Sequence, residues 1–228
     1  MSARAASLVV TAAVAVLASC DTGSGPPPPQ ASNVRVLHTI RGGPSLTVSV
    51  DGGRGSTLLF GDLSRSFPLS PGQHELDIVP ADTTHTFPAL FSTAEGVNYG
   101  VFLIDSMSSG NVIVEPVLVP DTGAVPAAGH GRLRLVNFAA AAPPIDAYRT
   151  QPDGSGLILT RQPLNFRAIT GYFESTPGKW TIVIAHSGVM DTLLVTDSIA
   201  VGDGQARTVA IIDSAGSLVS WRVVPDRN

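Results

Sequence analysis

Cysteine is almost missing from this 228-residue chain: Cys20 is the only one, so no disulfide can form within it and packed cores must hold whatever folds. Lysine is as scarce. Lys179 stands alone, which leaves a single candidate for a Schiff base or a lysine-activated nucleophile. Charged residues make up 14% of the chain and aromatics 6%, with a formal net charge of −4. That balance offers no basic stripe for a nucleic-acid backbone and little of the charge that solvates long helices. What is plentiful is glycine (23) and proline (18), set among 43% hydrophobic residues. This mix suits many short strands joined by tight turns, and an all-β fold is expected.

The N-terminus carries the strongest single signal. Arg4 supplies a positive start, and residues 5–17 form an apolar run shorter than the roughly 20 residues of a spanning helix, so the segment reads as a secretory signal. The run ends in Leu17-Ala18-Ser19-Cys20, which resembles the lipobox of bacterial lipoproteins. The resemblance implies cleavage between Ser19 and Cys20, lipidation of Cys20 and loss of residues 1–19. Beyond the cysteine the chain turns polar and rich in Gly and Pro, with Pro26-Pro27-Pro28-Pro29 favouring an extended tether of about 3.1 Å per residue. A doubly or triply acylated cysteine anchors stably, whereas a single acyl chain holds only marginally.

Sliding the chain against itself exposes a repeat. Val34-Arg35-Val36-Leu37-His38 matches Leu133-Arg134-Leu135-Val136-Asn137, and Ser70-Pro71-Gly72 with its following strand matches Thr176-Pro177-Gly178 with its own. Gly96 to Asp105 aligns with Gly204 to Asp213, and Val117 to Asp121 with Arg222 to Asp226. The organisation expected is therefore a signal peptide 1–19, a lipidated Cys20 with a flexible linker 20–32, repeat 1 over 33–121, a linker 122–131 and repeat 2 over 132–228. Each repeat has the size and turn spacing of an immunoglobulin-like β-sandwich, with its own separate core.

Alternation places strands at 34–39, 46–50, 57–60, 66–69, 73–79, 87–92, 98–106 and 112–119 in the first unit. In the second they fall at 132–138, 145–149, 157–161, 168–173, 179–185, 193–199, 205–212 and 219–224. After the Pro71-Gly72 turn, His74, Leu76 and Ile78 alternate with Gln73, Glu75 and Asp77, so the first set faces a core; Trp180, Ile182 and Ile184 do the same in the second unit. Pro116 marks an edge strand, and Asp51-Gly52 and Asp153-Gly154 are hairpin-turn signals.

The run from Val34 to His38, followed by Pro44 and by Leu46-Thr47-Val48-Ser49-Val50-Asp51-Gly52, resembles the opening of a bacterial envelope family known as domain of unknown function 4397. The Ser70-Pro71-Gly72 turn is similar too. The resemblance implies tandem β-sandwich modules on exported or lipid-anchored proteins and supplies no catalytic residue. Where the family tends to follow the histidine with Ser-Pro-Asp, this chain has Thr39-Ile40-Arg41-Gly42-Gly43, and the second unit replaces the histidine with Asn137 while keeping Ile145-Asp146-Ala147-Tyr148.

A search for chemistry finds no catalytic constellation. His38, His74, His85, His130 and His186 lack metal-ligand spacing, and His38, on the face of Val34 and Val36, is expected to be partly buried against a loop carbonyl. No Gly-x-Ser-x-Gly elbow, Ser-x-x-Lys or calcium-loop pattern occurs. Glu75, Asp77, Asp82, Glu95, Asp105, Glu115, Glu174 and Asp213 are read as solvated faces and turns rather than as the paired acids of a glycosidase. Gly52-Gly53-Arg54-Gly55 reads as a hairpin tip, and Trp180 and Trp221 as core residues rather than sugar platforms.

The expectation is a non-catalytic cell-envelope module, bound to a bacterial membrane through lipid on Cys20 on its periplasmic or cell-surface side. It would bind or scaffold protein or polysaccharide, with no cofactor, metal or nucleic acid. The alternatives are an envelope glycan or peptide hydrolase and a small-ligand carrier, which needs an apolar cavity between the sheets.

Overall fold

The computed structural model describes residues 28–227, apart from 109, 110, 152, 154, 215 and 217. Ser19, Cys20, the expected signal peptide and most of the expected tether lie outside the described residues, as does Gly154 of the second hairpin signal. Every regular element among the described residues is a strand, and none of them forms a helix long and apolar enough to cross a membrane.

Eight strands build the first unit: β1 (Ser32–His38), β2 (Leu46–Val50), β3 (Ser56–Leu58), β4 (Phe67–Leu69), β5 (Gly72–Pro80), β6 (Phe87–Thr93), β7 (Tyr99–Ser108) and β8 (Asn111–Pro120). They form two facing sheets, β3-β2-β5-β6 and β4-β1-β7-β8. Nine follow in the second: β9 (Gly131–Phe138), β10 (Ile145–Thr150), β11 (Ile158–Leu164), β12 (Phe173–Ser175), β13 (Gly178–His186), β14 (Thr192–Val195), β15 (Ile199–Val201), β16 (Ala206–Asp213) and β17 (Val219–Arg227). Their sheets, β11-β10-β13-β14 and β12-β9-β16-β17, have the same order, with β15 added to β13. The all-β sandwich reading therefore holds. In each unit the first strand pairs in parallel with a late one, Val34 against Tyr99 in β1 and β7, and Arg132 against Ala206 in β9 and β16.

Local chemistry explains the turns. Asp51 (φ 51°) and Gly52 (φ 65°) are both left-handed and Gly53 N–H closes onto Val50 O at 2.9 Å, the mirror-image turn whose twist suits a hairpin. Leu76 and Ile78 are buried and His74 half-buried, while Gln73 and Glu75 are exposed, as alternation demands. Pro116 sits on β8, an edge strand, where its missing N–H breaks no central ladder.

Two strand expectations fail, each for a visible reason. The strand expected at 168–173 shrinks to Phe173–Ser175, because the preceding chain turns at Arg167 (φ 67°) and Thr170 docks on Leu135 through both its N–H and its hydroxyl, each at 2.9 Å. The strand expected at 193–199 is split into β14 and β15. There the Thr196 hydroxyl accepts the Ile182 N–H (2.9 Å) in place of a backbone carbonyl and breaks the ladder that runs unbroken along β6.

Two separate cores also prove too few. Along β7, Val101 and Leu103 face the first core while Phe102 and Ile104 face the other way; along β16, Val209 and Ile211 face the second core while Ala210 and Ile212 do not. The outward sets meet in a third apolar layer of Leu37, Phe102, Ile104 and Val119 against Val136, Phe138, Ala210, Ile212 and Val224. The molecule is a stack of four sheets whose two inner members are buried on both faces. That is why these inner strands read as continuous apolar runs instead of alternating. Each of the Val, Leu, Ile and Phe side chains in that layer contributes about 1.5–3 kcal/mol on burial.

Candidate functional site

Strand direction gives the molecule two poles. β1, β5, β7, β9, β13 and β16 start at one pole and β8 and β17 end there, so the start of the described chain, the 121–130 connection and the end of β17 gather together. Gln30 is fastened at that pole by its N–H to Glu95 Oε1 (3.0 Å) and by its carbonyl to Gly96 N–H (3.1 Å). The opposite pole carries the loops 39–45, 81–86, 139–144 and 187–191 of both units, held side by side where Arg41 Nη1 donates to Ser214 O (2.6 Å).

His38 stands at that loop pole with no exposure at all. Its Nε2 donates to Pro44 O (3.0 Å) while Nδ1 accepts the Ile40 N–H (3.2 Å), which fixes the neutral Nε2–H tautomer. Burial holds its pKa below the ordinary imidazole value against the pull of Pro44 and Asp62. The loop-carbonyl role expected for it is met. Asn137 plays the same part in the second unit: Oδ1 accepts Ala139 N–H (3.0 Å) and Nδ2 donates to Leu164 O (2.9 Å). The divergence at this position thus conserves a donor and an acceptor rather than a ligand.

His74 pairs with Asp51 (2.7 Å) and reaches Ser70 O (2.8 Å), stitching two turns at the pole where the described chain begins. Partial burial opposes its charge, but the carboxylate and carbonyl outweigh it and raise the pKa. His186 meets Asp191 at 3.0 Å, and His85 is exposed. No three metal-ligating side chains gather among the described residues.

The carboxylates divide in the same way. Glu115 grips Arg167 with both oxygens (2.9 and 2.6 Å), Glu174 pairs with Arg132 (2.8 Å) and Glu95 holds Gln30. Glu75 and Asp82 are exposed and Asp77 half-buried. Asp105 and Asp213 share a cavity of about 300 Å³ at the loop pole between the units, with Arg41, Phe138 and Phe166. Asp213 Oδ1 accepts the Ala141 N–H there (3.0 Å). A second, mainly apolar cavity of about 260 Å³ opens between the sheets of the first unit, lined by His38, Ile40, Leu46, Phe87 and Val114 with Asp82 and Thr83. Trp180 is buried and its Nε1 donates to Thr176 O (3.0 Å), and Trp221 packs partly buried on the second core, as core residues should. The Gly52-Gly53-Arg54-Gly55 segment is the tip between β2 and β3.

The densest polar cluster escaped the sequence reading. Asp226 is buried near the pole where the described chain begins, with its Oδ2 taking the hydroxyls of Thr208 (2.5 Å) and Tyr172 (2.8 Å) and its Oδ1 facing Arg134 Nη2 (3.4 Å). Arg134 also donates to Thr208 Oγ1 (2.6 Å) and Pro120 O (2.8 Å) and lies over the Tyr172 ring at 4.6 Å. Burial raises the pKa of the Asp226 carboxyl despite Arg134, and burial beside Asp226 pushes the Tyr172 hydroxyl far up. Tyr172 therefore stays a neutral donor, and the group works as a fixed knot rather than a proton relay. Its signal was present as the arginines and Pro-Asp pairs recurring at matched positions, a recurrence that does not say whether the two units touch.

No curated protein matches the chain. A family profile does, over residues 32–148, from the start of β1 through the first unit and β9 into β10. Covering just over half of the sequence, the match makes this chain a member of the family described as domain of unknown function DUF4397.

Proposed function

We propose that the chain is a non-catalytic display module of the bacterial envelope, in which lipid on Cys20 holds the molecule at one pole and the loops of both units meet an envelope protein or polysaccharide at the other. The second unit is, on this reading, a further copy of the family fold. One observation carries the proposal: the described chain begins, passes between units and ends at one pole, leaving the loops 39–45, 81–86, 139–144 and 187–191 unencumbered at the far one. The engagement of Glu115, Glu174, His38 and His74 in structural pairs supports a role in holding rather than turning over a partner.

The test is Cys20→Ala in the full chain. Fractionation with radiolabelled palmitate should find the parent labelled in membranes and the variant unlabelled and released; an unlabelled parent, or a variant retained in membranes, removes the anchor from the reading. A second reading, a glycan hydrolase, draws on the cavity that Asp105 and Asp213 share. Release of sugars from purified envelope glycan by the parent, lost in Asp105→Asn or Asp213→Asn, would establish it instead.

A further inference from the structure

We infer that the layer between the units is a self-association surface of this fold, so that each unit's partner is a second copy of the same unit and the chain is such a dimer joined in one polypeptide. The argument is reciprocity. Arg35 in β1 and Arg134 in β9 hold the same place in their units, and each donates to the carbonyl of the other unit's corresponding proline: Arg35 Nη1 to Pro225 O (2.6 Å) and Arg134 Nη1 to Pro120 O (2.8 Å). A joining peptide alone imposes no such exchange; a two-fold axis does, because residue i then meets j while j meets i.

The apolar layer repeats the pattern. Leu37 corresponds to Val136, Phe102 to Ala210, Ile104 to Ile212 and Val119 to Val224, and all eight lie in the one cluster. At the flanks, the last strand of each unit reaches the long turn before the other's short inner-sheet strand: Arg222 in β17 donates to Gly61 O (2.8 Å), and Glu115 in β8 receives Arg167. At Gly61, φ 82°, a β-carbon would displace the Arg222 guanidinium, which lies against it. Buried apolar centre, polar rim and matched hydrogen bonds are the anatomy of a subunit interface.

The surface should therefore hold without the peptide between the units. A protease site inserted in the 122–130 connection of the full chain, cut under native conditions, gives two fragments with the interface intact. We expect them to co-elute on size exclusion at the volume of the uncut protein, with an unchanged circular dichroism spectrum. Arg35→Ala or Arg134→Ala in the cut protein should each raise the dissociation concentration about ten-fold or more, since each removes a charged donor to a carbonyl. Separation of the parent fragments, folded or not, overturns the inference, as does an unchanged dissociation concentration in both arginine variants.

Discussion

The two units share one strand order but fasten their loop ends with different chemistry. In the first, His38 bridges Ile40 and Pro44, and the mouth between the sheets stays open as a cavity of about 260 Å³. In the second, Asn137 takes the histidine's place, and Asp146, buried, draws the β13–β14 turn down by accepting from the Ser187 hydroxyl (2.8 Å) and the Gly188 N–H (2.9 Å). The residue matching Asp146 in the first unit is Thr47, whose hydroxyl is spent on Thr57 (3.1 Å). Apolar alternation sets the scaffold, and the polar fasteners at its ends are interchangeable so long as each buried donor and acceptor finds a partner.

The largest expected effect probes where the arginines differ. Arg134 is buried with Asp226, so Asp226→Ala strands a charge and should cost about 3–5 kcal/mol in urea unfolding. A loss under about 1 kcal/mol would mean that the knot holds no charge pair worth the name. Next, His38→Ala orphans the Ile40 N–H and the Pro44 carbonyl and should cost about 2–5 kcal/mol, whereas His38→Asn, borrowing the second unit's solution, should recover at least half of that. Equal losses in the two variants would break the equivalence drawn with Asn137. Asp146→Ala should cost about 1–3 kcal/mol and speed amide exchange at Gly188, leaving the first unit's amides unchanged.

The smallest effect is a difference of sign with pH. His38 has its folded pKa below the unfolded value of 6.5, so the stability of its neutral form is present above pH 6.5 and is lost as pH falls through the folded value. His74 has its folded pKa raised, so its contribution is present below pH 6.5 and is lost as pH rises through the folded value. Denaturation curves across this range should lose the acid-side slope in His38→Asn and the neutral-side slope in His74→Gln. Slopes unchanged in both variants would contradict these assignments.

Much of the scaffold was legible because outer strands such as β2 and β5 bury one face and therefore alternate. The Asp51-Gly52 turn and the Pro116 edge followed from backbone chemistry that any neighbour would respect. The seam was not legible for the opposite reason. Val101-Phe102-Leu103-Ile104 looks like any buried run, and periodicity does not say whether its second face meets water or another sheet. Thr196 and Arg167 broke strands through one hydroxyl and one left-handed backbone angle, neither of which apolar patterning registers.

Burial of the inner sheets on both sides also governs how such a chain can drift. An outer strand such as β2 or β5 has every second position open to substitution, whereas successive positions along β7 and β16 are constrained by different neighbours. Tolerance is thereby pushed outward, and likeness between the halves should persist longest at the middle of the stack. Three of the four blocks by which the halves can be aligned lie there, on β1 with β9, β7 with β16 and β8 with β17.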